Sequence, residues 1–126
     1  MAKVFLDTNV FIDIIEKRKD YTESFSSSEK LFISPLSVHI LLYVEKHKVP
    51  YDTLTSIEEI FALMPFDEAI CYKSLTGPTN DFEDNVQLHS AALAECEFFL
   101  TQDKKLLLMK FFGKTQIIIP EDLNSS

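Results

Sequence analysis

Short apolar segments alternate along this chain with segments of helical periodicity, and this alternation limits the possible folds more than any other feature. The first apolar segment, residues 3–6 (KVFL), ends at Asp7. Apolar residues at helical spacing follow it as far as the basic triplet Lys17, Arg18 and Lys19. Strands buried on both faces of a sheet read as continuous apolar runs, so the pattern predicts a parallel sheet covered by helices on both sides.

The same reading along the rest of the chain gives a set of predicted elements. The predicted strands are residues 3–6, 31–33, 64–66, 97–100 and 116–119. The first predicted helix begins at Asp7 or Thr8, and the second begins at Ser34-Pro35 and runs to about His47. The other predicted helices cover residues 53–63, 67–75, 81–95 (capped by Thr79 or Asn80) and 104–111. Residues 21–29 are predicted as a weak helix or a loop. Because no repeat and no long linker interrupts this order, we predict one α/β domain over residues 1–126, a three-layer structure with about five parallel strands.

Charge and cysteine usage narrow the class of protein. The net charge of −8 is unusual for a passive nucleic-acid binder, which is normally basic. If this acidic chain is instead an enzyme that acts on phosphates, it needs cations in its site. The two cysteines, Cys71 and Cys96, lie too far apart to form a CxxC motif. No apolar segment approaches the length that spans a bilayer, and acids interrupt the N-terminal one. We therefore expect a cytoplasmic protein without a membrane partner.

Acidic side chains follow the predicted strands at one edge of the sheet. Asp7 follows the first strand and Asp103 follows the fourth, while Asp81 and Asp84 share a face at the start of a helix. Ligands in such folds bind beyond the carboxyl ends of the strands, a region that also includes Ser34 and Thr101. Clustered carboxylates repel one another unless a cation lies between them, and oxygen donors suit Mg²⁺ or Mn²⁺. This pattern predicts a site for one of these ions.

Each acid also has a plain structural interpretation. Asp7 and Asp103 could serve only as helix caps, because acids are common at helix starts. Asp81 could be a first-turn acid that the helix dipole favours, and Asp84 a solvated helix residue. The basic triplet is either a solvated helix end or, as an alternative, a grip on RNA phosphates, which would make RNA binding depend on salt.

The ordered motifs resemble the PIN-domain family. VFLDTNVFIDII is similar to the opening of PIN domains, ISPLS to the end of their second strand, and DFEDNVQLHSAALAECEFFLTQDKKL to their second half. The resemblance implies a five-stranded parallel sheet and a Mg²⁺- or Mn²⁺-dependent ribonuclease. It also implies, in many members, the toxin of a VapC-type pair with an antitoxin protein as partner, and a homodimer.

By motif position, the resemblance assigns roles to particular residues. The family's metal-binding aspartates correspond to Asp7, Asp84 and Asp103. The supporting positions correspond to Thr8, Asn9 and Thr101, with Ser34 as the serine at the end of the second strand. Asp81 remains a candidate for a second ion or for orienting water.

One position departs from the family pattern. The family usually places a glutamate five residues past the strand-end serine, and His39 stands there in this chain. Glu45 is about 9 Å further along a helix and about 120° off the same face, so it replaces the missing acid poorly. We expect His39 either to take part in catalysis or to mark weakened cation binding.

Three competing functions follow from the same residues. An aspartyl-phosphate phosphatase needs an acid two residues after the first, where this chain has Asn9. A phosphoryl-receiver domain needs a lysine at the end of the last strand, where this chain has Ile119 and Pro120. The strongest alternative is a PIN fold without activity that serves as a binding or scaffold module, and His39 is the feature in its favour.

Overall fold

A computed structural model describes residues 2–21, 24–25 and 28–123 of the chain. Its strands are β1 Lys3–Leu6, β2 Lys30–Ile33, β3 Phe61–Leu63, β4 Phe98–Leu100, β5 Phe111–Phe112 and β6 Thr115–Ile118. Its α-helices are α1 Thr8–Ile15, α2 Pro35–Val44, α3 Glu68–Ser74, α4 Phe82–Leu93 and α5 Lys104–Met109. Three 3₁₀ segments cover Asp52–Leu54, Ile57–Glu59 and Pro120–Asp122.

The strands form one sheet in the order β3-β2-β1-β4-β6-β5. All neighbours from β3 to β6 are parallel, and β5 pairs antiparallel with β6 in a short hairpin. The predicted α/β architecture is therefore confirmed, with a sixth, two-residue strand beyond the five that the sequence indicates. Strands β1 and β4 lie side by side in the middle of the sheet, so the residues that follow them are neighbours at its carboxyl edge.

Both faces of the sheet are buried, which explains the continuous apolar runs. Along β1, Val4 and Leu6 belong to the apolar cluster under α1 and α2, whereas Phe5 belongs to the cluster under α4 and α5. The Phe5 ring stacks on that of Phe99 from β4, with centroids 5.7 Å apart. Helices on both sides thus fix the central strands and the ends from which the polar residues project.

Sequence reasoning was wrong between residues 53 and 66. The predicted helix 53–63 is replaced by two 3₁₀ segments and β3, and the third strand lies three residues earlier than the predicted 64–66. Phe61 pairs with Leu31 of β2 and packs edge-on against Phe11, with ring centroids 5.3 Å apart. Pairing with the sheet therefore overrides the helical pattern of the segment, because local propensity is only a weak prior.

Smaller differences concern the ends of elements. Helix α2 ends at Val44 rather than near His47, and the end of the predicted helix 104–111 forms β5 instead. Asp81, not Thr79 or Asn80, caps α4. Part of the predicted weak helix or loop at 21–29 lies outside the described residues, and positions 24, 25, 28 and 29 belong to neither a helix nor a strand.

In the described part of the chain, four helices are followed by a non-glycine residue with positive φ: Lys17 after α1, Lys46 after α2, Glu95 after α4 and Lys110 after α5. After α4, the amide of Cys96 donates to the carbonyl of Ala91 at 3.0 Å, as in a Schellman motif. Glycine normally occupies the left-handed position in this motif, and the chain has only two glycines. Because α1 ends at Ile15, the basic triplet lies beyond the last turn of the helix and does not close it.

None of the helices in the described part of the chain is long and apolar enough to cross a membrane.

Candidate metal centre

Asp7 and Thr101 form the centre of the polar edge of the sheet. Asp7 follows β1 and Thr101 follows β4, and the amide of Asp7 donates to the carbonyl of Leu100 at 3.0 Å. The hydroxyl of Thr101 donates to Oδ2 of Asp7 at 2.6 Å, with both residues buried. The same hydroxyl oxygen accepts the amide N–H of Asp103 at 3.0 Å. Thr101 therefore connects the two strand-end aspartates through one oxygen atom.

Asp7 occupies the N-cap position of α1 without capping it. Its side chain accepts no capping hydrogen bond from the described part of the helix, although N-cap aspartates usually accept one. The carboxylate accepts the hydroxyl of Thr101 instead. Burial raises the pKa of Asp7 to about 6, and the charges of Glu83 and Asp103 act in the same direction, while the hydrogen bond from the Thr101 hydroxyl and the interaction with the Thr8 amide oppose them. A buried carboxylate with this environment favours a proton or a cation as its partner.

The start of α4 brings two further aspartates to this edge. Asp81 caps the helix by accepting the amide of Asp84 at 3.0 Å. Asp84 is half-buried, and its pKa is raised to about 7 by burial first and then by the charges of Asp81, Asp7, Asp103 and Glu83. Negative charges that follow β1, follow β4 and lie at the start of α4 therefore all act on the carboxylate of Asp84. This is expected for side chains that meet at one edge of the sheet.

Asp103 also serves as a helix cap, because Oδ1 accepts the amide of Lys105 at 2.8 Å. Together with Asp81 and Asp84 it lines a cleft of about 280 Å³, which Lys105 also borders. The capping interpretation of Asp103 is thus correct, and Asp81, interpreted from the sequence as a first-turn acid, also caps its helix. Capping uses one oxygen of each carboxylate, so the role of these residues towards a metal stays a prediction.

The chemistry of this set fits a divalent cation. The donors are carboxylate oxygens, which Mg²⁺ and Mn²⁺ prefer, and the mutual repulsion of the acids is relieved when a cation binds. Among residues 2–21, 24–25 and 28–123, no three His, Cys, Asp or Glu side chains converge as they stand into a set that could hold an ion. Binding by Asp7, Asp84 and Asp103 therefore requires their carboxylates to come closer together than they lie in this structure.

Helix α2 contributes hydroxyl groups to this region. The buried Ser34 caps α2 by accepting the amide of Leu36 at 3.1 Å. The hydroxyl groups of Thr8 and Ser37 lie 2.7 Å apart in a buried hydrogen bond. Ser37 therefore marks the face of α2 that contacts the first turn of α1.

His39 lies elsewhere on α2. His39 lies two positions after Ser37, which is a rotation of about 200° around the helix. Its side chain is exposed, and its ring stacks on that of Tyr43. The structure therefore does not bring His39 together with the aspartates. Its predicted catalytic role has no support in this geometry.

The remaining predicted residues lie at the two ends of α1. Asn9 is exposed in the first turn. Lys17, Arg18 and Lys19 are exposed beyond the other end, about 12 Å along the helix from Asp7. Arg18 is engaged in an ion pair with Glu45 at 2.6 Å, which ties the ends of α1 and α2 together. The triplet is thus separate from the acidic cleft.

Sequence reasoning missed two residues of α4, Glu83 and Gln87. Gln87 is fully buried, and its Oε1 accepts the amide of Thr8 at 2.7 Å, while its Nε2 donates to Oε2 of Glu83 at 3.3 Å. A signal was available, because Gln87 lies three residues after Asp84 and so shares its face of the helix.

Comparisons with known proteins agree with this architecture. The PIN domain family matches residues 3–105. A search of curated protein sequences finds no match. A chain from the VapBC2 structure of Rickettsia felis, solved bound to a DNA fragment from its promoter, superposes with a TM-score of 0.65 at 15% identity, covering 93% of this chain and 98% of that one. A chain from DNA-bound VapBC of Salmonella typhimurium gives a TM-score of 0.61 at 17% identity, covering 95% and 99%.

The two structures share the fold at an identity too low to carry function. The sequence match, by contrast, spans most of the chain and includes every strand-end aspartate and the start of α4. On this evidence, the chain belongs to the PIN domain family.

Proposed function

We propose that this protein is a divalent-metal-dependent ribonuclease whose cation is held by Asp7, Asp84 and Asp103, at the acidic cleft that Asp81, Asp84 and Asp103 line. Members of the family are typically nucleases. The observation that carries the proposal is the environment of Asp84, whose pKa is raised to about 7 by burial and by the charges of the other acids. Such repulsion is a cost to the folded chain unless a proton or a cation neutralises it, and above neutral pH a cation has to do so.

The residues of the cleft have separable tasks in this proposal. Thr101 holds the carboxylate of Asp7 in one orientation and fixes the backbone of Asp103 beside it. Asp84 presents its carboxylate at the start of α4, where the cap made by Asp81 fixes the first turn. A divalent cation, when bound by these groups, would supply the positive charge that activates water and neutralises an RNA phosphodiester. Lys105, at the border of the cleft, is placed to attract phosphate.

The biological setting that we propose is a toxin–antitoxin pair. The two solved structures described above are VapBC complexes, and both were solved bound to DNA. We propose a protein antitoxin as the partner of this chain and RNA as its substrate. The exposed Lys17 and Lys19 are candidates for contacts with RNA phosphates outside the cleft.

A second function, a binding module without activity, is favoured by one observation. No three acidic, histidine or cysteine side chains in the described part of the chain are arranged to hold an ion as they stand. If this arrangement persists in solution, the aspartates serve only as caps and hydrogen-bond acceptors.

The experiment that separates the two is RNA cleavage with Mn²⁺ by purified protein, comparing the wild type with Asp84→Asn and Asp67→Asn. Asp67 is a matched control because it caps α3 by accepting the amide of Ile70 at 3.0 Å and does not line the cleft. We expect Asp84→Asn to abolish cleavage and Asp67→Asn to retain it. Cleavage that survives in Asp84→Asn would refute the assignment, and a wild type without cleavage on any RNA tested would favour the binding module.

A further inference from the structure

Gln87 connects the helix that carries Asp84 to the peptide that carries Asp7. Its side chain is fully buried, and a buried amide is tolerated only when its polar atoms have partners. Oε1 accepts the amide of Thr8 at 2.7 Å, across 79 residues of sequence. Gln87 is therefore a residue of α4 whose side chain accepts the hydrogen bond of the first backbone amide of α1, that of Thr8.

This contact fixes the peptide between Asp7 and Thr8. The amide groups at the start of a helix have no partner within the helix, and the N-cap side chain usually satisfies the amide of the second or third helical residue. At α1 the Gln87 amide satisfies the amide of the first helical residue, Thr8, while the Asp7 carboxylate accepts the hydroxyl of Thr101. The Thr8 hydroxyl bond to Ser37 fixes the same turn from the opposite side.

The other end of the Gln87 amide fixes Glu83. Nε2 donates to Oε2 of Glu83 at 3.3 Å and lies 3.5 Å from the Glu83 carbonyl. Glu83 is half-buried on the first turn of α4, and its charge acts on Asp7. One amide group thus holds the backbone at Asp7 on one side and a neighbouring carboxylate on the other.

We propose that Gln87 is a positioning residue of the acidic cleft, which sets the affinity for a divalent cation by fixing the Asp7–Thr8 peptide and the direction of Glu83 without touching the cation. The inference rests on the cation-binding function proposed above. Groups that orient metal ligands through hydrogen bonds affect affinity strongly, and their loss typically weakens it about tenfold to a hundredfold. We expect a loss in this range when the Gln87 amide is removed.

The test is Mn²⁺ titration by calorimetry of the full chain as wild type, Gln87→Met and Leu88→Val. Methionine keeps the length of the side chain and removes its hydrogen bonds to Thr8 and Glu83. Leu88 is the matched control, since it is fully buried on the same helix but belongs to the apolar cluster under α4. We expect Gln87→Met to weaken Mn²⁺ binding at least tenfold and Leu88→Val to bind as the wild type does, although both lower the melting temperature. Unchanged binding in Gln87→Met, or equal weakening in both variants, would overturn the proposal.

Hydrogen exchange of the Thr8 amide, measured by NMR without metal, separates this inference from the proposed function. The amide should exchange slowly in the wild type and faster in Gln87→Met, relative to other amides of α1. Equal exchange in the two proteins would show that Gln87 does not fix this peptide, whatever the metal result. A wild type that binds no Mn²⁺ would refute both the cation-binding function and the role of Gln87 in it. Should Gln87→Met fail to fold, Gln87→Asn, which is one methylene shorter, replaces it in both measurements.

Discussion

Replacing Asp7 with asparagine should stabilise the metal-free protein at neutral pH while it removes a proposed metal ligand. Asp7 is only 4% exposed, and its pKa is raised from the ordinary 3.8 to about 6, chiefly by burial. Asparagine has nearly the same shape, and its Oδ1 can still accept the hydroxyl of Thr101. The substitution therefore removes the buried charge and keeps the hydrogen bond.

The pH dependence of the effect follows from the two pKa values of Asp7. Because the folded chain binds the Asp7 proton more tightly than the unfolded chain, the contribution of Asp7 to stability is greatest below pH 3.8 and is lost as the pH rises through about 6. Ionisation of Asp7 lowers the free energy of unfolding by about 3 kcal/mol above pH 7, by about half as much at pH 5 and by almost nothing at pH 3. The gain in stability of Asp7→Asn should follow the same course.

Urea denaturation of both proteins at pH 8, 5 and 3, in the presence of a chelator, measures this gain. We expect Asp7→Asn to unfold at higher urea concentration at pH 8, by an amount that shrinks towards pH 3. Adding Mn²⁺ at pH 8 should stabilise the wild type and leave the variant unchanged, because a ligand stabilises only the state that binds it. A variant that is less stable than the wild type at pH 8, or equally shifted at all three pH values, would refute the reasoning.

Two further predictions follow from the ends of the helices and from the position of His39. Glu95→Gly should raise the free energy of unfolding by roughly 0.5–1 kcal/mol, because Glu95 has φ 57 and the left-handed conformation costs more than the entropy that glycine loses. Its control, Ala94→Gly, should lower the free energy of unfolding by a similar amount, since Ala94 has φ −75. Urea denaturation measures both variants, and a loss of stability in both would contradict this reasoning. His39→Ala should leave Mn²⁺-dependent RNA cleavage unchanged, because His39 is exposed on another face of α2. A loss as large as that of Asp84→Asn would restore His39 to the site.

The fold was predictable where burial and local pattern agree. Residues 3–6 form a strand because Val4, Phe5 and Leu6 are apolar on both faces of the sheet. Ser34-Pro35 begins a helix because serine caps it and proline suits its first turn. The segment 53–63 has a helical pattern, yet Phe61 forms a strand because it pairs with Leu31 and packs on Phe11. Those contacts are distant in sequence, so no local pattern reveals them.

The arrangement of polar residues at the edge of the sheet was predictable to a similar degree. The rule that strand ends meet at one edge selected Asp7, Thr101 and Asp103 from the sequence. It did not reveal Gln87, whose partner Thr8 lies 79 residues away. Counting positions along the motif selected His39, whereas the structure shows that Ser37 is the residue of α2 that contacts Thr8. Rotation around a helix, which decides such contacts, depends on how the helix packs.

The central claim is that the strand-end aspartates form a cation site, and the most direct test is Mn²⁺ titration by calorimetry at pH 8 of the wild type and Asp7→Asn. The account predicts saturable binding to the wild type and none to Asp7→Asn, whose fold should be at least as stable without metal. Equal binding by both proteins, or no binding by either, would contradict it.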